Sequence, residues 1–103
     1  MDDPFRHARP DERDADRAKV LRTFVGADGS IAQLPAKASK RLVVLDHVAQ
    51  GFDIGRRYPE REVNKILERY HADFASLRRY LVDAGFLERA ESIYWRAGGT
   101  VDV

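Results

Sequence analysis

The chain has 103 residues, of which 44% are hydrophobic, enough for one modest core in one domain. Its formal net charge is +1, and it contains no cysteine, which excludes disulfides, thiolate metal sites and cysteine nucleophiles. No apolar run is long enough to cross a membrane and the N-terminus lacks the apolar stretch of a signal peptide, so a cytoplasmic protein without membrane contact is expected.

Charge is unevenly spread. Residues 1–16 hold six acids and three arginines, whereas residues 17–101 hold 15 Lys/Arg and 10 Asp/Glu. A mildly basic body suits phosphate binding, although many proteins without such a partner share it. Residues 1–11, with Pro4 and Pro10 and no periodicity, read as a flexible leader. A single domain is expected over residues 12–97, with a loose tail over 98–103.

Asp11 is placed to cap a first helix starting near Glu12, with Ala18, Leu21, Phe24 and Val25 at helical spacing and Gly26 as its stop. The apolar set Val20, Leu21, Phe24 and Val25 is wider than one packed face needs, which makes this helix the candidate homodimer interface. After the turn Ala27–Ser30, the alternation in Ser30–Pro35 predicts a short strand at a sheet edge, with Ile31 inward. A second helix is expected over Ala36–Gln50, burying Leu42, Val43, Leu45, Val48 and Ala49. Lys37, Lys40 and Arg41 stand in its first turns, where the helix dipole prefers acids. They form a solvated face or contact phosphates.

Phe52–Tyr58 reads as a short extended segment or loop containing the basic pair Arg56-Arg57. Pro59 suits the first turn of a third helix, Glu60–Tyr70, which carries Val63, Ile66, Leu67 and Tyr70 at i, i+3, i+4, i+7. Asp73 is the expected N-cap of a fourth helix, Phe74–Ala84, and Gly85 its stop. Two strands follow, Phe86–Arg89 and Ile93–Arg96, around a tight turn. The predicted fold is α+β: a winged helix, made of a helix-turn-helix and a short C-terminal β-hairpin, with an N-terminal helix and a short edge strand.

The fourth helix carries the candidate chemistry. At about 100° per residue, Phe74, Leu77, Leu81 and Ala84 share one side and Arg79 points away from it. Ser76, Arg78 and Arg79, with the small Ala75, are the residue types that a helix needs to approach base edges and phosphates in a major groove. Lys37, Lys40, Arg41, Arg56 and Arg57 are candidate phosphate contacts. The hairpin argues the other way, because Glu88 and Glu91 would repel phosphates. Tyr94 and Trp95 alternate faces, one toward the core. His7, His47 and His71 are scattered without metal-ligand spacing, and no nucleophile motif or phosphate loop is present, so neither an enzyme nor a cofactor is expected.

The stretches Tyr58-Pro59-Glu60-Arg61-Glu62-Val63-Asn64 and Leu77-Arg78-Arg79-Tyr80-Leu81-Val82-Asp83, the step Gly85-Phe86-Leu87 and the close Tyr94-Trp95-Arg96 resemble a bacterial family defined as domain of unknown function number two thousand and eighty-seven. The likeness is closest over the C-terminal part and weaker over the first two helices. Members stand alone or fused behind helix-turn-helix regulators, a context that implies transcriptional regulation. Two functions are therefore expected. One is a regulator binding double-stranded DNA as a homodimer. The other is a protein-interaction or effector-sensing module on the same fold, with no nucleic-acid contact.

Overall fold

The computed structural model describes residues 10–100, with side chains from residue 15 onward. Helix α1 (Pro10–Phe24) starts two residues before the expected Glu12, so Asp11 lies in its first turn instead of capping it. The chain then turns over Gly26–Ser30, where Asp28 accepts from the Ser30 amide at 3.0 Å and hydroxyl at 2.6 Å. Of the leader expected over residues 1–11, Pro10 and Asp11 belong to α1, and residues 1–9 lie outside the described residues.

The strand expected over Ser30–Pro35 does not form. Ile31 is buried, but it pairs with a helical turn rather than a ladder. Its amide donates to the Tyr70 carbonyl at 2.5 Å, and its carbonyl accepts from His71 Nδ1 at 2.6 Å. Both backbone groups of Ile31 are thereby satisfied without a ladder. Pro35, which has no N–H, is buried against the core.

Helix α2 (Ala38–Ala49) is flanked by Lys37, which offers no side-chain cap, and by Gln50. Its buried residues are Val44, Leu45, Asp46, Val48 and Ala49, whereas Leu42 is 47% exposed. The expected stripe is corrected at Leu42, which is exposed, and at Val44, which is buried, because α2 is covered on two sides. Leu45 and Val48 face the core, while Asp46 and Val43 lie on the side that meets α1.

Strand β1 (Arg57–Pro59), helix α3 (Glu60–Glu68), helix α4 (Phe74–Asp83), and strands β2 (Leu87–Ala90) and β3 (Ile93–Arg96) complete the chain. The sheet is antiparallel in the order β1-β3-β2, with Tyr58 opposite Tyr94 and Arg89 opposite Tyr94 across the two ladders. The segment expected as a loop or extended piece is thus the third strand. Pro59 precedes α3 as its N-cap residue instead of entering its first turn, which suits a proline at a sheet edge. Asp73 caps α4 as expected, accepting from the Ser76 amide at 3.2 Å, and Gly85 follows with a φ of 81° that favours glycine. Among the described residues the architecture is α+β: four helices and a three-stranded antiparallel sheet around one core that includes Ile31, Val44, Leu45, Val48, Phe52, Tyr58, Val63, Leu67, Leu77, Leu81, Leu87 and Tyr94.

The tail expected to be loose is held over Gly98–Thr100. The Arg96 guanidinium donates to the carbonyls of Gly98 at 3.1 Å and Phe52 at 3.2 Å. Thr100 donates to Asp46 through its amide at 2.6 Å and its hydroxyl at 2.8 Å. Residues 101–103 lie outside the described residues. Among the described residues, no helix is long and apolar enough to cross a membrane.

The hairpin tip has one left-handed residue, Glu91, at φ 56°. A side chain there costs about 1–2 kcal/mol, of which glycine's freedom in the unfolded chain cancels about half. Glu91→Gly is expected to stabilise the protein by about 0.5–1 kcal/mol, seen as a Tm rise of roughly 2–6 °C in a thermal melt. An unchanged or lower Tm would mean that the turn does not strain this residue.

Candidate nucleic-acid interface

Helix α4 is held by Leu77 and Leu81, which are fully buried, and by the half-buried Phe74 and Tyr80. Opposite them, Arg79 is exposed and makes no ion pair among the described residues. The neighbouring Ala75 is also exposed. Ser76, expected on this face, is turned toward its own helix end: its hydroxyl donates to Asp73 at 2.8 Å. Those bonds from the Ser76 hydroxyl and amide hold the Asp73 carboxyl below the usual aspartate range. The cap therefore occupies the serine that was expected to meet nucleic acid.

Arg78 is also engaged. It donates to Asn64 Oδ1 on α3 and lies 4.0 Å from Glu60. Glu60 in turn accepts from the Tyr94 hydroxyl at 2.8 Å. Burial, together with this bond to a carboxylate, raises the Tyr94 phenol above its ordinary value. The set Arg78, Asn64, Glu60 and Tyr94 locks α4, α3 and β3 together, so Arg78 acts first as a strut. Tyr94 is the buried aromatic of the alternating pair, and Trp95 is half-buried.

Between α4 and the hairpin lies a groove of about 390 Å³, lined in part by Ala75, Ser76, Arg79, Val82, Arg89 and Tyr94. Arg89 stands 5.6 Å over the Tyr94 ring, which steadies its guanidinium beside the α4 face. Arg89 follows Glu88 on β2. The strand register places it on the α4 side of the sheet, with Tyr94.

The other expected phosphate contacts divide. Arg41 bonds the carbonyls of Pro35 at 3.3 Å and Ala36 at 3.1 Å, and its guanidinium lies 5.0 Å over the Tyr80 ring. Arg56 stacks on Tyr58 at 4.7 Å and pairs with Glu62 at 3.6 Å and Asp53 at 3.9 Å. Arg57 stacks on Trp95 at 5.4 Å. Lys37 is exposed at the start of α2. Lys40 is also exposed, but it lines the groove between α1 and α2, which turns it away from the α2 side that meets Tyr80. The structure therefore brings Ser76, Arg78 and Arg79 together and does not bring Lys40, Arg56 or Arg57 to them.

Sequence reasoning missed the outer face of α3. Arg61, Lys65 and Arg69 are all exposed at i, i+4 and i+8, and none makes an ion pair among the described residues. That i, i+4, i+8 spacing is legible in the chain itself.

Among the described residues no cluster of three His, Cys, Asp or Glu side chains is placed to hold a metal ion. His47 packs edge-on to Tyr70 at 6.3 Å, and His71 is spent on the Ile31 carbonyl. His7 lies outside the described residues. No curated protein and no solved structure matches the chain. A family model described as an uncharacterized protein conserved in bacteria (DUF2087) matches residues 30–96, from the segment before α2 to the end of β3. That match covers more than half of the chain and takes in the whole candidate interface, and it bears out the resemblance seen in the Tyr58–Arg96 motifs: the chain belongs to this bacterial family.

Proposed function

We propose that the protein is a winged-helix regulator that binds double-stranded DNA, with α4 entering the major groove. The element order α2-β1-α3-α4-β2-β3 and the sheet order β1-β3-β2 support the fold reading, since they are those of a winged helix. The observation that carries the function is the outward face of α4: Arg79, exposed and without an ion pair among the described residues, beside the small Ala75 and the stacked Arg89. A helix that reads a groove needs this combination of close approach and guanidinium donors. Arg78 supports it from behind by fixing α4 against α3.

The test is a salt titration of binding to duplex DNA by fluorescence anisotropy. Affinity should fall as salt rises, with a log–log slope of about −0.9 per phosphate contact. Arg79→Glu should abolish binding while leaving Tm nearly unchanged, because the residue is exposed. No binding at about 50 mM salt would sink the DNA reading.

A second reading, a protein-interaction module, is favoured by one observation. Glu88 and Glu91 are exposed on the hairpin, where a wing would meet phosphates. On either reading we take the protein to act in the cytoplasm as a homodimer, with α1 as the contact. Its Val20, Leu21 and Phe24, with Val25 just beyond its end, are each left partly exposed. A monomer by light scattering at high concentration would remove the dimer.

A further inference from the structure

We infer that α3 supplies a second anchor for duplex DNA, through Arg61, Lys65 and Arg69 acting on the phosphates of one strand. The inference rests on the DNA-binding reading of α4 and extends it to a different surface. Three observations meet here. First, the three cations share one face. At about 100° per residue they fall within about 80° of one another, opposite Val63 and Leu67, which are fully buried. All three are exposed, and none is paired within the described residues.

Second, helix stability does not account for Arg61. A cation in the first turn of α3 faces the positive end of the helix dipole, where Glu60 and Glu62 stand to advantage. Glu62 is occupied by Arg56, and Glu60 by Tyr94 and Arg78. Neither carboxylate quenches the stripe.

Third, the stripe lies next to the α4 face. Arg78 crosses from α4 to Asn64, and going round α3 from Asn64 away from the core leads through Glu68 to Arg61 and Lys65. Going round α4 from Arg78 leads through Val82 and Ala75 to Arg79. The two exposed faces therefore adjoin across the Arg78–Asn64 bridge. Arg69 caps the C-terminus of α3 in helical backbone geometry, so from Arg61 to Arg69 the chain rises ~12 Å at 1.5 Å per residue. Duplex DNA advances ~3.4 Å per nucleotide on each strand, so the stripe reaches along a few successive phosphates. Glu68 is the one acid within the stripe and leaves it a net positive charge.

The experiment compares salt slopes of duplex binding for the wild-type chain, Arg79→Glu and the triple variant Arg61→Gln/Lys65→Gln/Arg69→Gln, with thermal melts as a check on folding. The triple variant should bind more weakly, and its slope should be shallower by about 2.7, at ~0.9 for each lost contact. Lys65→Gln alone, mid-helix and exposed, should lower the slope by about 0.9. Wild-type slope and affinity in both α3 variants, with binding lost in Arg79→Glu, would overturn the α3 anchor and leave the α4 reading standing. A wild-type chain that binds no duplex at low salt would overturn both.

Discussion

Phe52→Ala is expected to remove about 3–5 kcal/mol of stability, a large part of what a domain of this size holds. Phe52 follows α2 and is 1% exposed. Its ring meets Tyr58 edge-on, with centroids 5.1 Å apart and planes at 82°. The Tyr58 hydroxyl accepts from the Asp53 amide at 2.8 Å, and the Phe52 carbonyl accepts from Arg96 at 3.2 Å. Truncating the ring opens a cavity under β1, the shortest strand, which has only β3 to hold it in the sheet. The neighbours are a strand, a helix end and a tethered tail, so the site cannot collapse without moving backbone. Phe52→Leu retains most of the volume and should cost less, about 1–2 kcal/mol. Urea denaturation followed by circular dichroism measures both. A loss below about 1 kcal/mol for the alanine variant would show that this corner repacks freely.

What was legible in the chain follows the range over which each signal acts. The period of Val63, Ile66, Leu67 and Tyr70, the Asp73 cap and Gly85 are local, and α3, α4 and the hairpin appear where those signals put them. Strand β1 is three residues long, and its partner Trp95 is far away in sequence, so nothing near Arg57 announces a ladder. The alternation in Ser30–Pro35 reflects one buried residue, Ile31, rather than a strand. Leu42 is exposed and Val44 buried because helical period implies one covering surface, and α2 has two. The site was legible as residue types and not as engagements. Helical angle correctly turned Arg79 outward, but it cannot show that Ser76 is consumed by the Asp73 cap or that Arg78 reaches Asn64. Nor does spacing reveal that Arg41, Arg56 and Arg57 each lie over an aromatic ring. These are tertiary contacts, and they sort a set of eight candidate residues into those held by the fold and those open to a ligand.

Asp46 carries the second large effect, because it joins three parts of the chain. It is the one buried charged residue among the described core. Arg17 of α1 pairs with it at 2.5 Å, Gln50 approaches at 3.4 Å, and Thr100 donates its amide and its hydroxyl. Burial pushes the carboxyl up, but the Thr100 amide and hydroxyl and the Arg17 guanidinium outweigh it, so Asp46 sits below the usual aspartate range. Asp46→Ala strands the Thr100 donors and leaves Arg17 without its counter-ion. The expected loss is about 2–3 kcal/mol, less than for a fully buried pair because the Arg17 side chain is 31% exposed. The sign of the pH dependence follows from the lowered value. Stability from Asp46 is fully present above its unfolded pKa, near about 3.9, and is lost as pH falls through the lower folded value. Asp46→Asn keeps an acceptor for Thr100 without the charge, so it should be less stable than wild type at neutral pH. Below about pH 4 the gap between the two should narrow as the wild-type carboxyl takes up its proton. Chemical denaturation across that range gives the gap directly. A constant gap would show that the charge does not hold α1 and residues 98–100 to α2, and that the Asp46 network contributes by shape and neutral hydrogen bonds alone. A narrowing gap would make α1, which lies outside the family-matched region, an element fastened to the DNA-binding candidate by one carboxylate as well as by its apolar face.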